Sequence, residues 1–83
     1  GKAGGEMTFI DTNEEEKVLC FSRRKDGNTV VALFNLSDDP VNVSAEGGPE
    51  GTFVEAMNDR EVTLPVEETS LQPWAFQIYK RQE

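Results

Sequence analysis

Apolar residues in this chain come in short runs, and within most runs they recur at every second position. That period puts them on one face of an extended strand rather than along a helical stripe. Clusters of Gly, Pro, Asn, Asp and Ser separate the runs. The densest apolar stretch lies in the middle. There Val18-Leu19-Cys20-Phe21-Ser22-Arg23-Arg24 and Thr29-Val30-Val31-Ala32-Leu33-Phe34-Asn35-Leu36-Ser37 flank a link containing Asp26-Gly27. Asp-Gly tolerates the positive backbone angles of a tight turn, so the two runs are predicted to pair as a hairpin. Val30, Ala32, Phe34 and Leu36 then share one face, and Val31 and Leu33 the other. Apolar residues on both faces predict a hairpin covered on both sides, at the centre of a two-layered β-structure.

Shorter strands are predicted around it. One spans residues 5–12 and ends in Asn13-Glu14-Glu15-Glu16, too short and unpatterned for a helix and read as a solvated turn. Ser37-Asp38-Asp39-Pro40 is a turn by composition, and Val41-Asn42-Val43-Ser44-Ala45 alternates, with one buried and one wet face. The most flexible loop by composition is Glu46-Gly47-Gly48-Pro49-Glu50-Gly51. A short strand at 52–57 and a turn at Asn58-Asp59-Arg60 follow. In the run 61–66, Pro65 cannot donate to a ladder, which makes this an edge strand. Residues 67–73 lead into a last strand at 74–79 with Trp74, Phe76 and Ile78 on one face, and the tail from Lys80 to Glu83 is expected to fray. The pattern predicts a single all-β domain over residues 1–83. Its expected form is a small antiparallel β-sandwich with Greek-key-like topology and about seven to eight strands.

Charge and composition narrow the partners. Eighty-three residues make one small domain, which buries only about 60% of its unfolded surface. Sixteen acidic against eight basic residues give a net charge of −8, with no histidine. No basic patch can displace counterions from a phosphate backbone, so nucleic acid is not an expected partner. An anionic membrane is disfavoured for the same reason, and no run approaches the roughly 18–20 apolar residues of a spanning helix. Gly1 reads as a remnant of cloning, which places any native leader outside the sequence. Cys20 is the only cysteine and has no histidine to activate it, so it reads as packing.

Catalytic constellations are scarce. Without histidine there is no Ser-His-Asp or Cys-His arrangement, and one cysteine leaves no zinc set. Gly47–Gly51 lacks the lysine and following helix of a phosphate loop, and Asp38-Asp39 lacks the EF-hand spacing for calcium. Neither metal nor cofactor is expected. Asp26, Asp38, Asp39 and Asp59 fall in predicted turns, while Glu14 to Glu16 and Glu67-Glu68 form exposed runs. Such positions keep carboxylates solvated, whereas the general acid of a glycosidase pair needs burial or a like-charged neighbour. Most of Phe9, Phe21, Phe34, Phe53 and Phe76 belong to alternating runs and are expected in the core. Trp74 and Tyr79 combine an apolar ring with a polar handle and are the candidates for stacking on a sugar. Their odd spacing sets them on opposite faces of one strand, against a shared platform, and Trp74 in register with Phe76 also fits a structural place.

Several runs carry a recognisable form. Val18–Arg23 resembles a strand of the form v-l-a-F-x-R, and Val30–Ser37 one of the form v-v-v-x-x-N-l-S. Gly51–Met57 resembles a segment G-x-y-x-d-l-l, and Leu71–Tyr79 a closing L-x-P-x-x-x-x-v-l. In that order, behind Gly5-Glu6 and the strand from Met7 to Ile10, they resemble the C-terminal β-domain of α-amylase superfamily glycoside hydrolases. The resemblance runs through nearly the whole chain. It implies that the catalytic Asp and Glu lie on a preceding (β/α)₈ barrel, at the carboxyl ends of its strands, so no catalytic residue is carried over. The implied role is a non-catalytic accessory domain that packs on the barrel of the same polypeptide and stabilises it.

Structural roles are expected for Phe21, Phe34 and Phe76 on the strands. Asn35 is placed to bond backbone groups at a strand end and fix the turn into Asp38-Asp39-Pro40. Arg23 continues the alternation of Leu19 and Phe21, with its stem on the sheet and an acidic partner in reach. Two alternatives stay open: a module that itself holds α-glucan through Trp74 or Tyr79, and an immunoglobulin-like interaction domain. The latter lacks its Cys…Trp…Cys signature. Compartment is open too; secretion suits a polymer-degrading enzyme, while many relatives work in the cytoplasm.

Overall fold

The alternating runs become strands where the pattern places them, except in the last third of the chain. The computed structural model describes residues 6–82. Its strands are β1 (Glu6–Phe9), β2 (Val18–Lys25), β3 (Asn28–Asn35), β4 (Val41–Val43), β5 (Gly51–Glu55), β6 (Glu61–Leu64), β7 (Thr69–Leu71) and β8 (Phe76–Gln82). Asp26 and Gly27 have φ of +53° and +78°, the pair of left-handed residues that a two-residue hairpin needs. The turn sets Lys25 opposite Asn28 and fixes the β2–β3 register along eight pairs, to Val18 opposite Asn35.

Six strands form one antiparallel sheet in the order β1-β2-β3-β8-β5-β6, and β4 pairs with β7 in a second sheet. The chain leaves β3 for the second layer, returns for the β5–β6 hairpin, crosses again to β7, and ends with β8 inserted between β3 and β5. This is a small Greek-key-like sandwich. Cys20, Val31, Leu33, Phe53 and Tyr79 line the inner face of the large sheet and share the core with Val41, Val43 and Leu71 of the small one. Ile10, Val18, Leu64 and Val66 complete this cluster. The loop expected to be the most flexible passes close to the core at Gly48 (φ +87°), where a Cβ would stand 2.7 Å from Ile10 Cδ1. β6 is a sheet edge and ends at Leu64, just before Pro65, as an edge position for that proline requires.

Four expectations are corrected. Thr69-Ser70-Leu71 forms a strand where only a connection was predicted. Trp74 belongs to a turn, closed by the Ala75 N–H donating to the Gln72 carbonyl at 3.0 Å, and the last strand starts at Phe76. That strand does not fray at Lys80 but runs to Gln82, because the Arg81 guanidinium lies 4.4 Å from the centroid of the Phe53 ring and Nη1 donates to the Glu50 carbonyl at 2.7 Å. Finally, the hairpin is covered on one side only by the described residues. Of the five phenylalanines Phe53 alone is buried in the core, since the others project from the outer face of the large sheet.

Candidate docking surface

The outer face follows from the register. Phe9 stands opposite Phe21, Phe21 opposite Ala32, and Ala32 opposite Ile78, which makes one row across four strands. The next row, one pleat along, is Leu19, Phe34 and Phe76. Four rings thus run diagonally over the sheet. Phe9 meets Phe21 edge-on at 6.4 Å between centroids, Phe21 stacks on Phe34 at 6.2 Å, and Phe34 tilts against Phe76 at 5.9 Å. Each spacing lies in the favourable range for aromatic pairs. Phe9 is nevertheless 68% exposed and Phe76 44%, with Met7 and Leu36 more than half exposed beside them. Isolated exposed apolar residues are ordinary, whereas a contiguous apolar face marks a surface built for contact. Phe21, Phe34 and Phe76 hence belong to this face. Arg23 is also on it, exposed, between Met7 and Val30 in the adjoining row.

Asn35 sits at the end of β3 and is 1% exposed. Its Nδ2 donates to the carbonyls of Asp39 (2.8 Å), Gln72 (3.1 Å) and Leu71 (3.3 Å), while its Oδ1 accepts from the Ser37 N–H and hydroxyl. One amide therefore ties the turn after β3 to the segment that leads from β7 into β8. It also roots the turn that displays Trp74. That ring is 65% exposed on a residue with φ +63°, a conformation bulky side chains rarely adopt.

Tyr79 is placed otherwise. At 2% exposure it lies between the two sheets, hydrogen-bonded to the Thr69 side chain of β7, and its ring offers no face to a ligand. Burial raises its phenol above the ordinary value. Beside it in register is Glu55, the one buried carboxylate among the described residues. Its Oε2 accepts from Arg60 Nη2 at 2.9 Å, and Oε1 is buried without a hydrogen-bond partner. Glu55 was not singled out in the sequence, although its place two residues after Phe53 puts it on the same inward face. A cleft of about 910 Å³ opens here between the β5–β6 hairpin and β7, with Glu50, Glu67 and Glu68 also along it. Acid–base glycoside cleavage takes two facing carboxyl groups, and this cleft joins one buried acid to an arginine.

Cys20 is buried on the inner face, and burial pushes its thiol from 9.0 up to about 11. Between those values the unfolded chain gives up the proton and the folded chain keeps it. Stability is therefore complete below the lower value and falls as pH rises through the window. The urea midpoint is expected to drop over that range, with Tyr79 acting in the same direction, and Cys20→Ala is expected to show a shallower drop. Equal slopes for the two proteins would contradict this assignment.

The fold and its outer face define the class: a small antiparallel β-sandwich with one broad face that no described element covers. The family model for the C-terminal domain of maltogenic amylase matches residues 7–78, and the chain belongs to that family. No curated protein matches it.

Proposed function

We propose that this chain is a non-catalytic C-terminal domain of an α-glucan-acting glycoside hydrolase, and that it packs its outer sheet face on the catalytic (β/α)₈ barrel of the same polypeptide. The observation that carries this reading is the diagonal of four rings on a face that no described element covers. Burying such a face contributes about 25 cal/mol for each Å² of apolar surface removed from water, and this is how the domain stabilises its neighbour. Family membership supports the barrel as that neighbour. The isolated chain is expected to release no reducing sugar from starch. In the intact polypeptide, hydroxyl-radical footprinting is expected to show Phe9, Phe34 and Phe76 protected relative to the isolated chain. Equal modification in both would overturn the docking.

A second reading, α-glucan held directly by the domain, has Trp74 in its favour because that ring is exposed on a rooted turn. Affinity electrophoresis in amylopectin separates the two. A packing domain migrates unretarded, while a glucan-binding one is slowed and loses the retardation in Trp74→Ala.

A further inference from the structure

The turn before β8 holds a residue that its backbone does not suit. Gln72-Pro73-Trp74-Ala75 is closed by the Ala75 N–H on the Gln72 carbonyl at 3.0 Å. Proline fits the second position of such a turn, and a positive φ at the third is the place of glycine. Trp74 occupies that third position at φ +63°. An L-residue in this region brings its Cβ against the backbone, a cost that glycine escapes. The turn itself does not need the ring. Asn35 Nδ2 holds the carbonyls of Leu71 and Gln72, and the Asn35 N–H donates to the Ala75 carbonyl at 2.9 Å. With the indole 65% exposed, packing inside the domain contributes little against that strain. A costly conformation, firmly held at an exposed ring, points to a contact outside the domain.

The surroundings favour one kind of contact. Phe34 faces Phe76 in register, and the next step of both strands brings Asn35 to Ala75. Trp74 and Leu36 therefore adjoin the apolar end of the outer sheet face beside Phe76, and all three are exposed. A sugar stacked on the indole needs hydrogen-bonding groups close to the ring. The carbonyls of Asp39, Leu71 and Gln72 and the Ser37 hydroxyl are already engaged with Asn35. Leu36 and Phe76 extend the ring with apolar contact area instead.

We propose that Trp74 is an anchor of the docking face, seated in an apolar recess of the catalytic domain that offers an acceptor to its indole N–H. This rests on the docking reading above. Tryptophan suits such a place because it brings a large contact area on few rotatable bonds, and buried aromatic anchors carry much of an interface's energy. Its N–H takes a hydrogen-bond partner when the ring is covered. The fixed backbone of the turn limits the entropy lost on contact.

The test compares the isolated chain with the full-length polypeptide that carries it. Trp74→Gly is expected to raise the melting temperature of the isolated chain by about 4 °C, because it relieves the turn and removes little packing. In the full-length polypeptide, without sugar, hydroxyl-radical modification of the Trp74 ring is expected to fall several-fold below its level in the isolated chain. There Trp74→Gly is expected to increase modification of Phe76, so the substitution that stabilises the free domain loosens the docked one. Protection of Phe34 and Phe76 without protection of Trp74 refutes the anchor and leaves docking standing. Protection of Trp74 that develops only on adding maltooligosaccharide refutes it in favour of α-glucan. A protected Trp74 whose replacement by glycine leaves Phe76 as protected as before is a bystander, and the anchor is again refuted. If none of the three rings is protected, docking and anchor fall together. An unchanged or lower melting temperature for Trp74→Gly removes the strain from the argument and overturns the proposal as well.

Discussion

Asn35→Ala is expected to lower the unfolding free energy by about 3 kcal/mol, read from a urea transition. The native amide serves three carbonyls and two Ser37 donors from a site that is 1% exposed, so truncation strands several backbone groups away from water. A buried unsatisfied group costs about 1–3 kcal/mol, and the turns can relax to recover part of the loss. Against the roughly 5–15 kcal/mol typical of a folded domain, the remainder is large. Asn35→Asp should be worse than Asn35→Ala at neutral pH. It keeps the acceptor for Ser37 but turns a carboxylate towards the carbonyls of Asp39, Leu71 and Gln72. An Asn35→Asp protein as stable as wild type would show that the amide donor is dispensable.

Phe53→Ala and Phe76→Ala are expected to differ by several kcal/mol, although both remove a phenylalanine from adjacent strands of one sheet. Phe53 is 1% exposed, lies in the core and carries the Arg81 guanidinium over its ring. Its loss leaves a cavity and frees the end of β8, for a cost of about 3–5 kcal/mol. Phe76 faces outward and is 44% exposed. Truncating it removes chiefly the contact with Phe34, worth about 1 kcal/mol. Chemical denaturation of the isolated chain measures both. Equal costs would mean that the outer face contributes to this domain's own core. Repeated in the intact polypeptide, the Phe76→Ala cost should rise under the proposed docking, which gives the ring a neighbour.

The parts of the fold that could be read from sequence are those where a local rule has one solution. Asp26-Gly27 admits few structures other than a tight hairpin. Pro65 excludes a central strand, and the alternation of Val41, Asn42 and Val43 assigns its own buried face. The choice of inner face on β3 had no such local answer. Val31 and Leu33 on one side compete with Val30, Ala32 and Phe34 on the other, and both sides read as core. What decides it is the second sheet, which covers Val31 and Leu33 and leaves the phenylalanines on the outer face. Thr69-Ser70-Leu71 escaped notice because three residues, two of them polar, carry too little pattern to mark a strand. Trp74 concealed a turn. Pro73 fits the second position of a β-turn, but the third position, with φ above zero, is where glycine is expected, so a tryptophan there read as strand. Glu55 was legible through its alternation with Phe53 and was missed because charged residues are so seldom inside.

The chain has a single tryptophan, and the Asn35-rooted turn holds it out in water. Its emission in the free domain is expected to resemble that of a denatured peptide, which makes it a poor optical witness to unfolding. The same position makes it a sensitive one for company: any surface or sugar that covers the indole should move the emission to shorter wavelength while the backbone stays as it was.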